Sequence, residues 1–179
     1  MAAVLPTKGN LMAAKRSRAL AQTGYELMDR KRNILVREMM ELMDGASALQ
    51  SEIDQVFSEA YAALRQAHIE LGLCDHIAEG VVPDDSLDIR WRSVMGVELP
   101  HIPEHGQQPR PEYSMMYTSP ALDEAYMKFR RVKDMTRRMA EIETSIYRLA
   151  QAIKKSQKRA NALKNIVIPD FDSTIRVIS

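Results

Sequence analysis

The side chains best suited to chemistry are the four histidines and the single cysteine. His101 and His105 lie four residues apart, but Pro103 between them prevents the helix that would align both rings on one metal ion. Cys74-Asp75-His76, together with His68, could bind a metal or provide a nucleophile. A free thiol at the end of a helix is the simpler interpretation, so we expect no active site at these residues.

Motifs that bind nucleotides or cofactors are also missing from the sequence. The segment Thr7-Lys8-Gly9-Asn10 lacks the glycine spacing of a phosphate-binding loop. The chain contains no GxGxxG, GxSxG or HExxH pattern, which removes the usual signals of dinucleotide binding, serine hydrolysis and zinc proteolysis. The sequence therefore predicts a chain without a catalytic site, a cofactor or a metal.

Composition favours a helical protein. Of 179 residues, 45% are apolar and 27% are charged, with only 7 glycines, which is too apolar for a disordered chain and too poor in turn residues for a β-sandwich or barrel. The formal net charge of +1 gives no reason to expect nucleic acid or an anionic membrane as a partner. Basic runs such as Arg130-Arg131 are expected to be ion-paired or solvated helix faces.

Cysteine usage and hydropathy bear on location. One cysteine excludes an internal disulfide and fits a reducing compartment, so we expect a cytoplasmic protein. Residues 1–10 lack the apolar run of a signal peptide, and no segment approaches eighteen uninterrupted apolar residues. Any association with a membrane is therefore expected to be peripheral.

Prolines divide the chain into three segments, because proline removes a backbone donor and breaks a helix interior. None occurs between Pro6 and Pro83 or between Pro120 and Pro169, whereas six of the eight lie from Pro83 to Pro120. We expect three parts in this order: an N-terminal helix in 1–72, a middle region with a β-hairpin and a proline-rich loop in 73–120, and a C-terminal helix with a short tail in 121–179.

Both end segments carry apolar residues at alternating spacings of three and four, the pattern of a coiled-coil seam. From Leu11 to Ala67, 15 of 17 such positions are apolar, and from Ala125 to Val167 the count is 11 of 13. Arg18 and Arg32 interrupt the first seam, where a third body could lie. The predicted fold is all-α, a long antiparallel left-handed two-helix coiled coil formed by the N- and C-terminal helices, with a small irregular middle region containing a short β-hairpin.

Local signals mark the helix ends and the hairpin. Ser119 and Pro120 suit the N-cap and the first position of the second helix, and Gly72 suits the close of the first. Alternation through residues 89–95, followed by Gly96 and a second short run, predicts the β-hairpin. On these signals the helices lie near 11–71 and 121–164.

Charge is segregated along the chain although the total is nearly neutral. The balance of basic over acidic residues is +5 in 1–40, −10 in 41–120, +3 in 121–140 and +3 in 141–179. In an antiparallel hairpin, the acidic second half of the first helix faces the basic start of the second, while the two basic segments lie side by side. Those segments repel each other unless an acidic or carbonyl-rich surface surrounds them, so we expect a different partner at each end.

Four stretches of the sequence resemble the D subunit of the V-type and archaeal A-type rotary ATPases. They are Pro6-Thr7-Lys8 with Leu11, Leu27-Met28-Asp29-Arg30-Lys31-Arg32, Met95-Gly96-Val97-Glu98-Leu99-Pro100, and Arg159-Ala160-Asn161-Ala162-Leu163 followed by Val167-Ile168-Pro169. The last is the most specific, because a coiled coil alone does not require it. The resemblance covers essentially the whole chain in the family's order, with departures at Asn33 and Ala160.

This resemblance implies a non-catalytic central rotor shaft that transmits torque between ATP hydrolysis or synthesis in a hexamer of catalytic A and B subunits and ion translocation in the membrane ring. The implied partners are the A and B subunits, the F subunit and the socket subunit above the ring. We expect the hexamer to face the basic end, at Lys15, Arg16, Arg30, Arg32, Lys155 and Arg159. We expect the F subunit to face the middle region, at Trp91, Met95, Val97, Met115 and Met116.

Two other functions stay open on the residues alone. A non-rotary coiled-coil scaffold or tether has the same heptad pattern, and an enzyme using Cys74 and the histidines is a more remote alternative. The choice between protons and sodium, and between ATP synthesis and hydrolysis, is not encoded here, because the resemblance places ion and nucleotide sites on other subunits.

Overall fold

Two long helices account for most of the structure. The computed structural model describes residues 5–74, 77, 87–103, 113 and 118–179. Helix α1 spans Lys8–Leu71 and helix α2 spans Pro120–Ala162. A π-helical segment, Leu163–Val167, continues α2 into a final helix α3, Ile168–Ile178. Between α1 and α2 lie strands β1, Arg90–Val94, and β2, Val97–His101, which pair as a two-stranded sheet.

The helix ends use the predicted signals. The hydroxyl of Ser119 accepts a hydrogen bond from the Leu122 N–H at 3.4 Å, which caps the start of α2. Gly72 has φ of 78°, the left-handed conformation that commonly follows a helix, and its N–H donates to the His68 carbonyl at 3.0 Å. Helix α1 begins three residues before the expected start because the Thr7 hydroxyl caps it, accepting from the Asn10 N–H at 3.3 Å.

Burial follows the predicted heptad seams. Every buried apolar residue of α1 belongs to the seam from Leu11 to Ala67. These residues are Ala14, Ala21, Leu35, Ile53, Val56, Ala60, Ala63 and Ala67. On α2 the seam contributes Ala125, Val132, Met135, Leu149, Ser156 and Ala160. Two further residues of α2, Leu122 and Ser145, are buried outside the predicted positions.

The residues group into two compact units, each containing part of both long helices. Unit 1 comprises Met1–Met40, Val94–Val97 and Tyr147–Ser179, and unit 2 comprises Glu41–Ser93 and Glu98–Ile146. In unit 2, one apolar cluster is formed by Ile53, Val56, Ala60, Val132 and Met135, and a second by Ala67, Cys74, Tyr113 and Leu122. In unit 1, Leu35 and Leu149 are completely buried.

Within each unit the helices run antiparallel. In unit 1, Arg18 of α1 donates to Asp172, and Arg32 of α1 donates to Gln157. Moving 14 residues forward along α1 therefore corresponds to moving 15 residues back along the C-terminal helices. In unit 2, Arg131 of α2 pairs with Glu52 of α1 at 2.9 Å. This pair joins the acidic half of α1 to the basic start of α2, as the charge pattern predicted.

The β-hairpin turns through two residues. Met95 and Gly96 have φ of 51° and 75°, the two positive values that a type I′ turn needs. Glycine accepts this conformation without cost, whereas methionine does so rarely, because its Cβ crowds the backbone. Leu99 of β2 is completely buried, while all but the last residue of β1 is exposed.

The C-terminal part extends beyond the predicted helix end near residue 164. The Ile168 N–H donates to the Leu163 carbonyl, five residues earlier, which closes a π-helical turn. We attribute this turn to Pro169, which has no N–H and whose ring would collide with the Asn165 carbonyl in a regular α-helix. A wider turn relieves that collision, so the helix continues to Ile178 where a short tail was expected.

None of the helices in the described part of the chain combines the length and the apolar character that a membrane span requires.

Candidate functional site

The basic side chains expected to face a partner lie in unit 1. Lys15, Arg16 and Arg30 on α1 are exposed, as are Lys155 and Arg159 on α2. Lys155 and Arg159 are four residues apart and therefore share one face of α2. Five of the six predicted hexamer-facing side chains are thus available to a partner.

The sixth, Arg32, is engaged within the chain. Its side chain is 28% exposed, and the guanidinium donates to the Gln157 side-chain carbonyl at 2.6 Å. It also pairs with Asp29 at 2.7 Å. Arg18, the other arginine in the seam, pairs with Asp172 at 3.0 Å. Both seam positions that were expected to admit a third body therefore have partners in the chain itself.

An outer apolar stripe on α1 was missed by the sequence analysis. It consists of Leu20, Leu27 and Ile34, which are 75%, 56% and 42% exposed. These residues are seven apart, and each immediately precedes a seam residue, so they form a row beside the buried one. The signal was present in the sequence, as a second apolar heptad position next to the first.

Basic residues flank this outer apolar stripe. Arg16 lies one turn before Leu20, and Lys31 lies one turn after Leu27, at the four-residue spacing that places side chains on one face. The resulting surface combines apolar contact area with positive charge. Such a surface suits a protein partner that offers apolar side chains and carboxylates, because complementary charge aids encounter while apolar area supplies affinity.

The hairpin presents a second candidate surface. Trp91 and Met95 are 55% and 45% exposed, and Val97 is half-buried. Ile89, immediately before β1 and two residues before Trp91, is 47% exposed. Met115 and Met116, which were also expected to face the F subunit, lie outside the described residues.

A carboxylate on α2 holds the hairpin. Glu141 accepts a hydrogen bond from the Ile102 N–H at 2.8 Å, and its other oxygen lies 3.1 Å from Nδ1 of His101. The Glu141 side chain is 21% exposed, so both bonds form in a partly desolvated place where they are stronger than in water. The end of β2 is thereby attached to α2.

Of the residues considered for catalysis, Cys74, His68 and His101 are described by the structure. Cys74 is a buried free thiol within the second apolar cluster of unit 2. Its sulfur contacts the Gly72 carbonyl at 3.5 Å. His76 and His105 lie outside the described residues. Among the residues that are described, no three His, Cys, Asp or Glu side chains converge on a point where a metal could bind.

Comparison with known proteins identifies the family. The sequence model of the ATP synthase D subunit matches residues 10–179. The V-type ATP synthase D subunit of Thermotoga neapolitana is 41% identical over 177 residues, which cover 98% of this chain and 87% of that protein. The A-type ATP synthase D subunit of Pyrococcus furiosus is 37% identical over 180 residues, covering 98% and 84%. Because both kinds of match extend over nearly the whole chain, it belongs to the ATP synthase D-subunit family.

Proposed function

We propose that this chain is the central-stalk rotor subunit of a V/A-type ATPase, transmitting torque between nucleotide turnover in an A/B hexamer and ion movement in a membrane ring. The observation that carries the proposal is the apolar heptad seam of α1, which supplies every buried apolar residue of that helix, in a member of the D-subunit family. A shaft has to resist twisting, and two helices packed along such a seam resist it better than one.

The role we assign is mechanical rather than catalytic. A rotating shaft favours a different conformation of each nucleotide site by making different contacts with it at each angle. This needs an asymmetric surface and no active site in the shaft itself. Under this proposal, association with the membrane is peripheral, through the rest of the complex on its cytoplasmic side.

We assign the hexamer contact to the exposed basic residues and the outer apolar stripe of unit 1. Lys15, Arg16 and Arg30 occur on the same stretch of α1 as the stripe, and the stripe leaves three large apolar side chains in water when the chain is alone. Burying such side chains in a partner is favourable in proportion to their apolar area. The acidic middle of the sequence and the hairpin are then assigned to the F subunit and the socket subunit of the ring.

Rotation itself is the direct test. An A/B head is reconstituted with this chain in a Cys74→Ser background, with a cysteine introduced at exposed Ser47. A bead is attached to that cysteine, and its position is followed during ATP hydrolysis. Stepwise unidirectional rotation is expected. A bead that stays fixed on a head that hydrolyses ATP and binds the chain would reject the rotor assignment.

The outer apolar stripe is tested by affinity. Leu20→Ser with Leu27→Ser is expected to weaken binding to the A/B head about tenfold or more, because large side chains buried in an interface carry much of its binding energy. The control pair, Ile69→Ser with Leu73→Ser, removes two side chains that are also strongly exposed, at 78% and 74%, but belong to unit 2. Equal losses for the two pairs would remove the stripe from the hexamer contact.

The basic residues are tested by charge reversal. Arg16→Glu with Arg30→Glu is expected to slow association with the head and to reduce its dependence on salt, because exposed charges act mainly on encounter. Arg65→Glu, an exposed arginine in unit 2, is the matched control for charge reversal. Unchanged association of the double variant would show that these arginines face no acidic surface.

The hairpin surface is tested with the isolated F subunit. Trp91→Ala is expected to weaken binding about tenfold or more, since tryptophan is among the residues that most often dominate an interface. Ser93→Ala, two residues further along the same exposed strand, is the control. If the two variants bind the F subunit equally well, the hairpin does not form that contact.

The scaffold alternative makes a different prediction. A tether that dimerises through its own helices would purify as a stable homodimer that does not bind the A/B head. Co-purification of the chain with the head and the F subunit is expected under the rotor proposal.

A further inference from the structure

Three positions of the α1 seam, spaced seven residues apart, carry polar or aromatic side chains with cross-helix partners. Arg18 pairs with Asp172 at 3.0 Å. Seven residues on, the Tyr25 ring lies 5.8 Å from the Lys164 ammonium, a cation-π contact. Seven residues further, Arg32 donates to Gln157 at 2.6 Å. All six residues belong to unit 1.

The π-helical segment aligns these three contacts. A step of seven residues back along α1, from Arg32 to Tyr25, corresponds to seven residues forward on the C-terminal side, from Gln157 to Lys164. The next step of seven residues, from Tyr25 to Arg18, corresponds to eight, from Lys164 to Asp172. The segment Leu163–Val167 supplies the extra residue, because a π-turn spans one residue more than an α-turn. Without that residue, Phe171 would take the place opposite Arg18.

We propose that these pairs form a register code that fixes the axial alignment of α1 against the C-terminal helices of unit 1. An apolar seam alone specifies register weakly, because leucines and alanines exchange partners when one helix slides by seven residues. Polar side chains at seam positions do not exchange in this way, since each needs a particular donor, acceptor or charge opposite it.

Lys164 gives the code its selectivity. If α1 slides by one heptad in one direction, Arg18 replaces Tyr25 opposite Lys164, and Arg32 faces Ala150. If it slides in the other direction, Arg32 replaces Tyr25 opposite Lys164, and Tyr25 faces Asp172. Each slip therefore breaks three contacts and brings an arginine against a lysine, whereas the native register places the lysine on an aromatic ring.

The rest of the Arg32 network supports this alignment. Gln157 donates to Asn161 at 2.7 Å, and Arg32 also contacts Asp29 and Asn33 on its own helix. The acceptor of Arg32 is thus positioned by a neighbour one turn away. Because the Arg18 and Asp172 side chains are 46% and 41% exposed, that pair contributes little stability on its own. The native register is therefore favoured over the slipped registers by the three contacts together.

The test reverses the charge of Lys164. Lys164→Glu turns the repulsion in both slipped registers into attraction and removes only the cation-π contact from the native one. Spin labels are attached to cysteines at exposed Ala13 and Gln151 of the full chain in a Cys74→Ser background, and their separation is measured by pulsed electron resonance. The parent chain is expected to give one distance. The variant is expected to add a population displaced by about 10 Å, which is seven residues at 1.5 Å each.

Two further variants keep the test decisive. Lys158→Glu makes the same charge change at an exposed position of α2 outside the code and is expected to give the parent distance alone. If circular dichroism shows that Lys164→Glu has lost its helices, Lys164→Gln takes its place. Because glutamine removes the repulsion without adding attraction, a smaller displaced population is then expected. A single undisplaced distance in the folded Lys164 variant overturns the code. Because these measurements use the chain alone, they are independent of whether it rotates.

Discussion

The Tyr113 hydroxyl donates a hydrogen bond to the carboxylate of Asp123 in the first turn of α2, at 2.5 Å. Tyr113 is buried beside Ala67 and Leu122, and its ring meets that of Tyr126 edge to face, with centroids 5.4 Å apart. Burial, followed by the bond to Asp123, raises the pKa of Tyr113 well above its usual value of 10.0. The phenol is therefore a neutral donor that joins the middle region to α2 within unit 2.

Tyr113→Phe is expected to lower the free energy of unfolding by about 1 to 2 kcal/mol at pH 7, because it removes a hydrogen bond to a charged acceptor and leaves the ring in place. Urea denaturation at a series of pH values measures this effect. Above pH 10 the unfolded chain releases the tyrosine proton while the folded chain keeps it, so the advantage of the parent protein should shrink as pH rises. A difference that is constant between pH 8 and 11 would contradict this linkage.

Glu141→Ala is expected to free the end of β2 from α2. Two contacts of the carboxylate are lost, and the Ile102 N–H is left without its acceptor, which costs about 1 to 3 kcal/mol of local stability. Hydrogen exchange of peptides covering 97–103 should speed up while exchange of the long helices is unchanged. Glu143→Ala removes an exposed carboxylate from the same helix and should leave the hairpin's exchange as it is.

Met95→Asn is expected to stabilise the hairpin by about 0.5 to 1 kcal/mol, because asparagine tolerates the left-handed backbone better than methionine does. Met95→Val should act in the opposite direction, since a β-branched residue fits φ of 51° poorly. Hydrogen exchange across the hairpin measures both changes. If the two substitutions change exchange in the same direction, backbone strain at residue 95 is not what governs this turn.

Pro169→Ala is expected to convert the π-helical segment to a regular α-helix, because alanine supplies an N–H for the Asn165 carbonyl and removes the ring that collides with it. Residues after the segment then shift by one position relative to α1. In a Cys74→Ser background, paired cysteines report this shift as the yield of disulfide between position 18 and either 172 or 171. The parent chain should favour 172 and the variant 171, and an identical preference in both would show that proline does not cause the π-turn.

Local chemistry allowed a large part of the structure to be predicted from the sequence. The apolar seam follows from heptad spacing, and Leu35 and Leu149, which are completely buried, both lie on it. The Ser119 cap, the Gly72 stop and the two-residue turn at Gly96 depend on backbone preferences of single residues. Each of these signals is contained within a few neighbouring residues, so no knowledge of the rest of the chain was needed.

The outer apolar stripe is present in the sequence as a second heptad position, but spacing alone does not show that it stays exposed. Leu20, Leu27 and Ile34 have the same spacing as the seam residues beside them. The position of the partner helix decides whether an apolar stripe packs within the chain or stays in water. That position depends on the whole fold.

Only the tertiary structure decided which distant side chains meet. Arg18 and Asp172 are 154 residues apart in the sequence, and their pairing depends on the extra residue of the π-turn, which no periodic pattern anticipates. Likewise, nothing near Glu141 marks it as the acceptor of the Ile102 N–H. Periodicity can state which face of a helix is buried, because that depends on spacing alone. The register between two faces depends on contacts summed along both helices, so it becomes definite only when they pack.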